Sequence, residues 1–83
     1  MKNVTVLYFA ALKELTGTAT ETLALPDRVK TVDDFSSYLK QARPALSRAL
    51  ASVRIARNEV FAGGDEPIGA DDVLALIPPV QGG

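Results

Sequence analysis

Thr31-Val32-Asp33-Asp34-Phe35-Ser36-Ser37-Tyr38-Leu39-Lys40-Gln41-Ala42 is the segment around which the rest of the chain is organised. Thr31 is a good N-cap, and Asp34 stands three residues on as its capping-box partner, where Glu or Gln is usual. Val32, Phe35, Leu39 and Ala42 then recur at helical spacing, so one face of this helix is apolar and must be covered. Pro44 ends it, because the proline ring clashes with the preceding turn and disfavours helical angles at Arg43. A second short helical piece is predicted beyond, with Pro44 in its first turn and Leu46 and Leu50 four apart. On the N-terminal side, Thr20–Leu25 has the alternation of a strand, with Leu23 and Leu25 on one face, and Pro26 closes it.

Further out, Val4, Val6 and Tyr8 alternate with Thr5 and Leu7, a period-two pattern with apolar residues on both faces. Such a strand belongs inside a sheet or under cover on each side. From Ala10 to Thr16 the spacing changes: Leu12 and Leu15 are three apart, and Gly17 is placed to stop a short helix. After the main helix, Val53–Arg57 and Glu59–Ala62 are predicted strands. Gly63-Gly64-Asp65 is a turn, Asp71-Asp72 closes another, and Val73–Ile77 is the last strand, with Leu74 and Leu76 toward the helix. Arg57 shares a face with Val53 and Ile55, which requires either that it reach out at the sheet margin or that the phase be shifted by one residue. Pro78-Pro79 cannot donate to a ladder, so the sheet ends there. The order is strand, short helix, strand, long helix, strand, strand, strand. One main helix packed across one face of a mixed sheet is the economical solution, an α+β arrangement of the ubiquitin-like, or β-grasp, kind. Residues 1–77 are the β-grasp domain and 78–83 an extended C-terminal functional tail.

Composition narrows the functions. With 83 residues the chain has room for one small domain. Its 47% apolar and 23% charged residues are those of an ordinary soluble globular domain. The net charge is −1 with no basic run to track phosphates, so nucleic acid is not an expected partner. There is no cysteine and no histidine, which removes thiolate chemistry, the usual general base near neutral pH and the commonest zinc ligand. No signal-peptide pattern and no membrane-spanning apolar run is visible, and a cytoplasmic location is expected.

The chemistry is concentrated in Pro78-Pro79-Val80-Gln81-Gly82-Gly83. Fully extended, such a tail reaches ~20 Å from the sheet. Val80 is its only apolar anchor. Glycine lacks a Cβ, so its backbone can approach a nucleotide in a narrow channel where other residues would clash. A carboxylate is a poor electrophile and must first become a mixed anhydride, typically an acyl-adenylate, before a sulfur or amine nucleophile can displace the activating group. An unhindered Gly83 carbonyl favours that attack, and Gly82 lets the chain bend into it. The competing interpretation is a frayed chain end with no role.

Phe9-Ala10-Ala11-Leu12-Lys13-Glu14-Leu15-Thr16-Gly17, the Arg57-Asn58-Glu59 turn, Asp72 and the Pro-Pro-Val-Gln-Gly-Gly ending resemble the small, sulfur-carrier subunit of molybdopterin synthase, over essentially the whole chain. The resemblance implies a β-grasp fold and a Gly83 that is adenylated by an activating enzyme using ATP and then converted to a thiocarboxylate. It implies insertion of Pro78, Pro79, Val80, Gln81 and Gly82 into a larger catalytic subunit, which transfers the sulfur to a pterin precursor. The chain itself would bind no cofactor or metal and hold no catalytic site. Phe9, Phe61 and Ile77 correspond to the family's apolar contacts with the larger subunit. Independently, Ile77 points away from the helix, as an outward apolar residue on a bare sheet face would if a partner covered it. This chain departs from the family at Asp71-Asp72-Val73, where Gly-Asp-Glu is usual, and at Leu76-Ile77, where aromatics are usual. Asp tolerates the turn angles that glycine provides.

Other candidates are structural. Asp33-Asp34 and Asp71-Asp72 are adjacent pairs at element starts, where acids cap helices and shape turns. Ser36, Ser37 and Ser47 have no histidine to activate them, and Gly63-Gly64 lacks the context and the lysine of a phosphate loop. Lys13, Lys30 and Lys40 read as solvated charges. The alternatives left open are a sulfur carrier for another pathway, a ubiquitin-like protein modifier that ends as an amide on lysine, and a β-grasp binding module with idle glycines.

Overall fold

A computed structural model describes residues 1–79; Val80, Gln81, Gly82 and Gly83 lie outside the described residues. Strands β1 (Lys2–Tyr8), β2 (Thr20–Leu25), β3 (Arg54–Arg57), β4 (Val60–Phe61) and β5 (Val73–Ile77) form a mixed sheet in the order β2-β1-β5-β3-β4. The central pair, β1 and β5, is parallel, with Thr5 opposite Val73 and Tyr8 opposite Leu76; the other pairs are antiparallel. Helices α1 (Ala11–Thr16) and α2 (Val32–Ala42) complete the β-grasp order. The sequence expectation of an interior first strand is met, since β1 lies between β2 and β5.

Helix α2 begins where the capping box places it. The Thr31 hydroxyl accepts from the Asp34 amide, and the Asp34 carboxylate accepts from the Thr31 amide. Its remaining first-turn donors are met from the chain after β4: Val32 N–H bonds the Glu66 carbonyl at 3.0 Å and Asp33 N–H the Gly64 carbonyl at 2.9 Å. The buried face is Val32, Phe35 and Leu39, packed with Val4, Val6, Tyr8, Leu25, Ile55, Leu74 and Leu76 of the sheet. Arg43 leaves helical geometry at φ −133°, as the following proline requires. The piece beyond Pro44 is two 3-10 turns, Pro44–Leu46 and Ala49–Ser52, which bury Leu46 and Leu50. Neither turn has a side-chain cap, and 3-10 geometry is the usual form of such short connections.

Five details differ from, or resolve, the sequence expectations. Leu12 is buried but Leu15, in the last turn of α1 before Gly17 ends the helix at φ 76°, is 49% exposed, so only the start of the predicted apolar stripe meets the core. Val53 caps the second 3-10 turn rather than starting β3. Glu59 and Ala62 fall outside β4: Asn58 and Glu59, at φ 52° and 73°, are the two central residues of the hairpin turn joining β3 and β4. Positive φ at both positions matches the right-handed twist of the strands. The phase of β3 is unshifted, since Ile55 and Arg57 stand opposite buried Leu76 and Leu74. Arg57 therefore reaches out at the sheet margin, its guanidinium 3.4 Å from Asp72 Oδ2 and 3.9 Å from Glu66 Oε2. Asp71, where the resembling family has glycine, takes φ 66° and donates its amide to the Asn3 carbonyl.

A polar clamp ties the open edge of the sheet to the end of α2. The hydroxyl of Tyr8, whose ring is buried, donates to Glu21, and Arg43 pairs with the same carboxylate. Burial acts to raise the Glu21 carboxyl, but bonds from Arg43 and Tyr8 and the Arg43 charge outweigh it and hold the group below its ordinary range. Asp72 is similarly held down, its burial outweighed by bonds from Asn58, Gly69 and Arg57. Both groups are easier to protonate in the unfolded chain. Their stabilisation is therefore present above the ordinary carboxylate range and lost as pH falls through their lowered native values. Urea melts between neutral pH and pH ~3 are expected to show falling stability on acidification, with a shallower acid limb in Glu21→Gln. An acid limb of unchanged slope in that variant would remove Glu21 from the account.

Candidate functional site

The site predicted from sequence is the end of β5 and what surrounds it. Opposite residues in the sheet share a face, and the register separates the two faces cleanly. Leu74 and Leu76 point into the core with α2, whereas Val73, Ala75 and Ile77 point away from it. Across the sheet, Leu7, Ala75, Ala56 and Phe61 form a continuous row on this second face. One step nearer the exit, Ile77 stands opposite Arg54, and the Arg54 guanidinium lies 3.9 Å from the centroid of the Phe61 ring. Phe9 follows Tyr8, the partner of Leu76 in the parallel pair, which puts its backbone beside Ile77. Phe9 is 46% and Phe61 51% exposed, while Ile77 and Pro78 are half-buried and Pro79 is exposed. Phe9 thus lies beside Ile77 on one side of β5, while Phe61 lies two strands over on the other side, in the row of Ala75 and linked toward Ile77 through Arg54. Val80, Gln81, Gly82 and Gly83, predicted as insertion and acyl-transfer residues, lie outside the described residues.

Phe9 is held by local backbone geometry. Its carbonyl accepts the Leu12 amide at 3.0 Å, and the next residue, Ala10, has φ 51° and ψ −125°. That combination is glycine territory, and a Cβ there is strained by about 1–3 kcal/mol. Ala10→Gly relieves the strain at the cost of a more flexible unfolded chain, for an expected net stabilisation of about 1 kcal/mol. Thermal melts check it; a loss of stability would mean that the alanine is not strained. Beside this bend, Leu7, Phe9, Lys13 and Thr20 line a shallow hollow of about 470 Å³.

Asn58 and Asp72 anchor the hairpin that carries Phe61. Asn58 Oδ1 accepts the Val73 amide at 2.9 Å, its Nδ2 donates to Asp72 Oδ1 at 2.9 Å, and its own amide bonds the Val73 carbonyl. Asp72 Oδ2 accepts the Gly69 amide at 2.8 Å. Sequence reasoning noted Asn58 only as a point of resemblance and Asp72 as that and a turn former, and did not find their mutual bonds. It also passed over Leu7 and Arg54. Arg54 was accessible to it, since the inward phase of Ile55 already turns its neighbour outward. The acidic pairs are structural as expected: Asp34 caps α2, and Asp72 shapes the turn before β5. No helix of the described residues is long and apolar enough to cross a membrane.

Fold and exit geometry together define a ubiquitin-like β-grasp protein in which a core strand runs directly into the C-terminal segment. The chain belongs to the ThiS family, whose profile matches residues 6–83. It is 32% identical to the human molybdopterin synthase sulfur carrier subunit, with 96% of this chain and 93% of that protein covered. Among solved structures, the small archaeal modifier protein 1 of Haloferax volcanii superposes with a TM-score of 0.82 at 33% identity, covering 96% of this chain and all of that one. Subunits 1 and 2 of the molybdopterin-converting factor of Helicobacter pylori are known as a protein–protein complex. The matching chain there shares the fold at a TM-score of 0.71 and 24% identity, covering 98% of this chain and 99% of that one.

Proposed function

We propose that the chain is the sulfur-carrying small subunit of a molybdopterin synthase and that Gly83 is the residue that carries the sulfur. The observation that carries this is the exit itself. β5 is flanked by strands on both sides, stops at Pro78-Pro79, and delivers the chain beside an apolar face flanked by Phe9, Ile77 and Phe61. A rigid body with an anchoring surface at the root of a slender tail is what presentation of a terminal acyl group to another enzyme's cavity requires. An activating enzyme transfers AMP from ATP to the Gly83 carboxylate, releasing pyrophosphate; sulfide-level sulfur then attacks the acyl carbon and displaces AMP, leaving a thiocarboxylate. In this reading the chain presents the acyl group and binds no cofactor; it has neither histidine nor cysteine to offer as base or nucleophile. The larger subunit supplies the catalytic site, in the cytoplasm.

Intact-mass measurement after incubation with ATP, the activating enzyme and a sulfur source tests it. Replacement of one terminal oxygen by sulfur is the expected result, and an unmodified terminus would overturn it. The likeness to an archaeal modifier protein favours a second use of the same activated carbonyl, amide formation with lysine on a target. Conjugates of higher mass in place of the thiocarboxylate would select that alternative.

A further inference from the structure

We propose that Arg54 is a specificity-determining residue that docks on a carboxylate of the larger synthase subunit, a step that rests on the function proposed above. Among the described strand residues that face away from α2, Arg54 carries the only charge; its neighbours there are Leu7, Ala75, Ala56, Phe61 and Ile77. Its side chain is exposed, and no carboxylate of the described residues lies within ion-pairing distance of it. By contrast, Arg43 and Arg57 are each paired with acids of this chain. Arg54 is also pre-oriented, its guanidinium stacked 3.9 Å from the centre of the Phe61 ring, so little side-chain freedom remains to be lost on docking.

Its place makes the charge consequential. Arg54 stands opposite Ile77, the residue before Pro78-Pro79, so a protein that swallows the tail must close over this guanidinium. Covering an unpaired cation with an apolar surface is strongly unfavourable, whereas a carboxylate matched to the guanidinium fork restores the lost solvation and fixes register. The larger subunit is taken as the occupant because the matching chain of the Helicobacter pylori molybdopterin-converting factor is known in complex with its subunit 2, and because aiming the tail into a catalytic cavity needs a fixed register.

The test is calorimetric titration of the full chain into its separately purified larger subunit at low and moderate salt, with Arg54→Gln and Arg54→Lys compared to wild type. Wild-type affinity should fall with salt. Arg54→Gln should bind about tenfold more weakly at low salt and lose much of that salt dependence, and Arg54→Lys should lie between. Thermal melts should be unchanged in both variants, since the side chain is exposed. Arg54→Gln binding as tightly as wild type, or losing affinity with an unchanged salt slope, would overturn the proposal. So would a defect confined to adenylation by the activating enzyme. Failure of the wild-type chain to bind would instead remove the larger-subunit assignment itself.

Discussion

Addition of one alanine after Gly83 is expected to cut sulfur transfer at least about a hundredfold while leaving the melting temperature unchanged. One extra residue moves the reacting carboxylate by about 3.5 Å along an extended chain, and misplacement by ~1 Å already costs about that factor in an oriented reaction. It also puts a Cβ on the residue that must be adenylated, where the nucleotide approaches closest. Stability is a separate matter: the last buried core residue among those described is Leu76, and the added residue follows it at a distance in sequence. Gly83→Ala keeps the chain length and adds only the Cβ. It should lose less than the extension, which separates reach from steric access. Turnover in the reconstituted two-subunit synthase, alongside melts of the carrier alone, gives both readouts. An extended chain that still delivers sulfur would exclude Gly83 as the acyl donor, whatever the fold.

Most of this architecture was legible because the strongest signals in the chain are local. The capping box at Thr31, the spacing of Val32, Phe35 and Leu39, and the break at Pro44 each act within a turn or two, and all three stand in the structure where the sequence puts them. The alternation of Val4, Val6 and Tyr8 is equally local and fixed which face of β1 is buried. What escaped depends on partners distant in sequence. Leu15 has helical spacing from Leu12, but its exposure is decided by what lies across from a helix of six residues. Arg57 was ambiguous until its ion partners, Glu66 and Asp72, were known. Phe9, Phe61 and Ile77 come from three separate segments, and only the strand order and register bring them to the face of the sheet turned away from α2.

Asn58→Ala is expected to destabilise the domain by about 2–3 kcal/mol, lowering the melting temperature by roughly 10–20 °C for a chain of this size. Three contributions add. At φ 52° alanine pays the left-handed backbone penalty that asparagine tolerates, about 1 kcal/mol. The Val73 amide loses its acceptor and the Asp72 carboxylate loses a donor, together worth about another 1–2 kcal/mol at this partly solvated site. Asp72 should then titrate closer to the ordinary carboxylate range, because the bond from Asn58 is one of those that hold its pKa down. Asn58→Gly keeps the turn angle and drops both side-chain bonds, so it should recover the backbone share and no more. The hairpin positions Phe61, and Arg54 stacks on that ring, so both variants should also weaken binding to the larger subunit even at temperatures where they remain folded. If glycine and alanine proved equally destabilising, the cost would lie wholly in the side-chain bonds. If neither lowered the melting temperature, the turn would not be what anchors the root of β5 to the hairpin beside it.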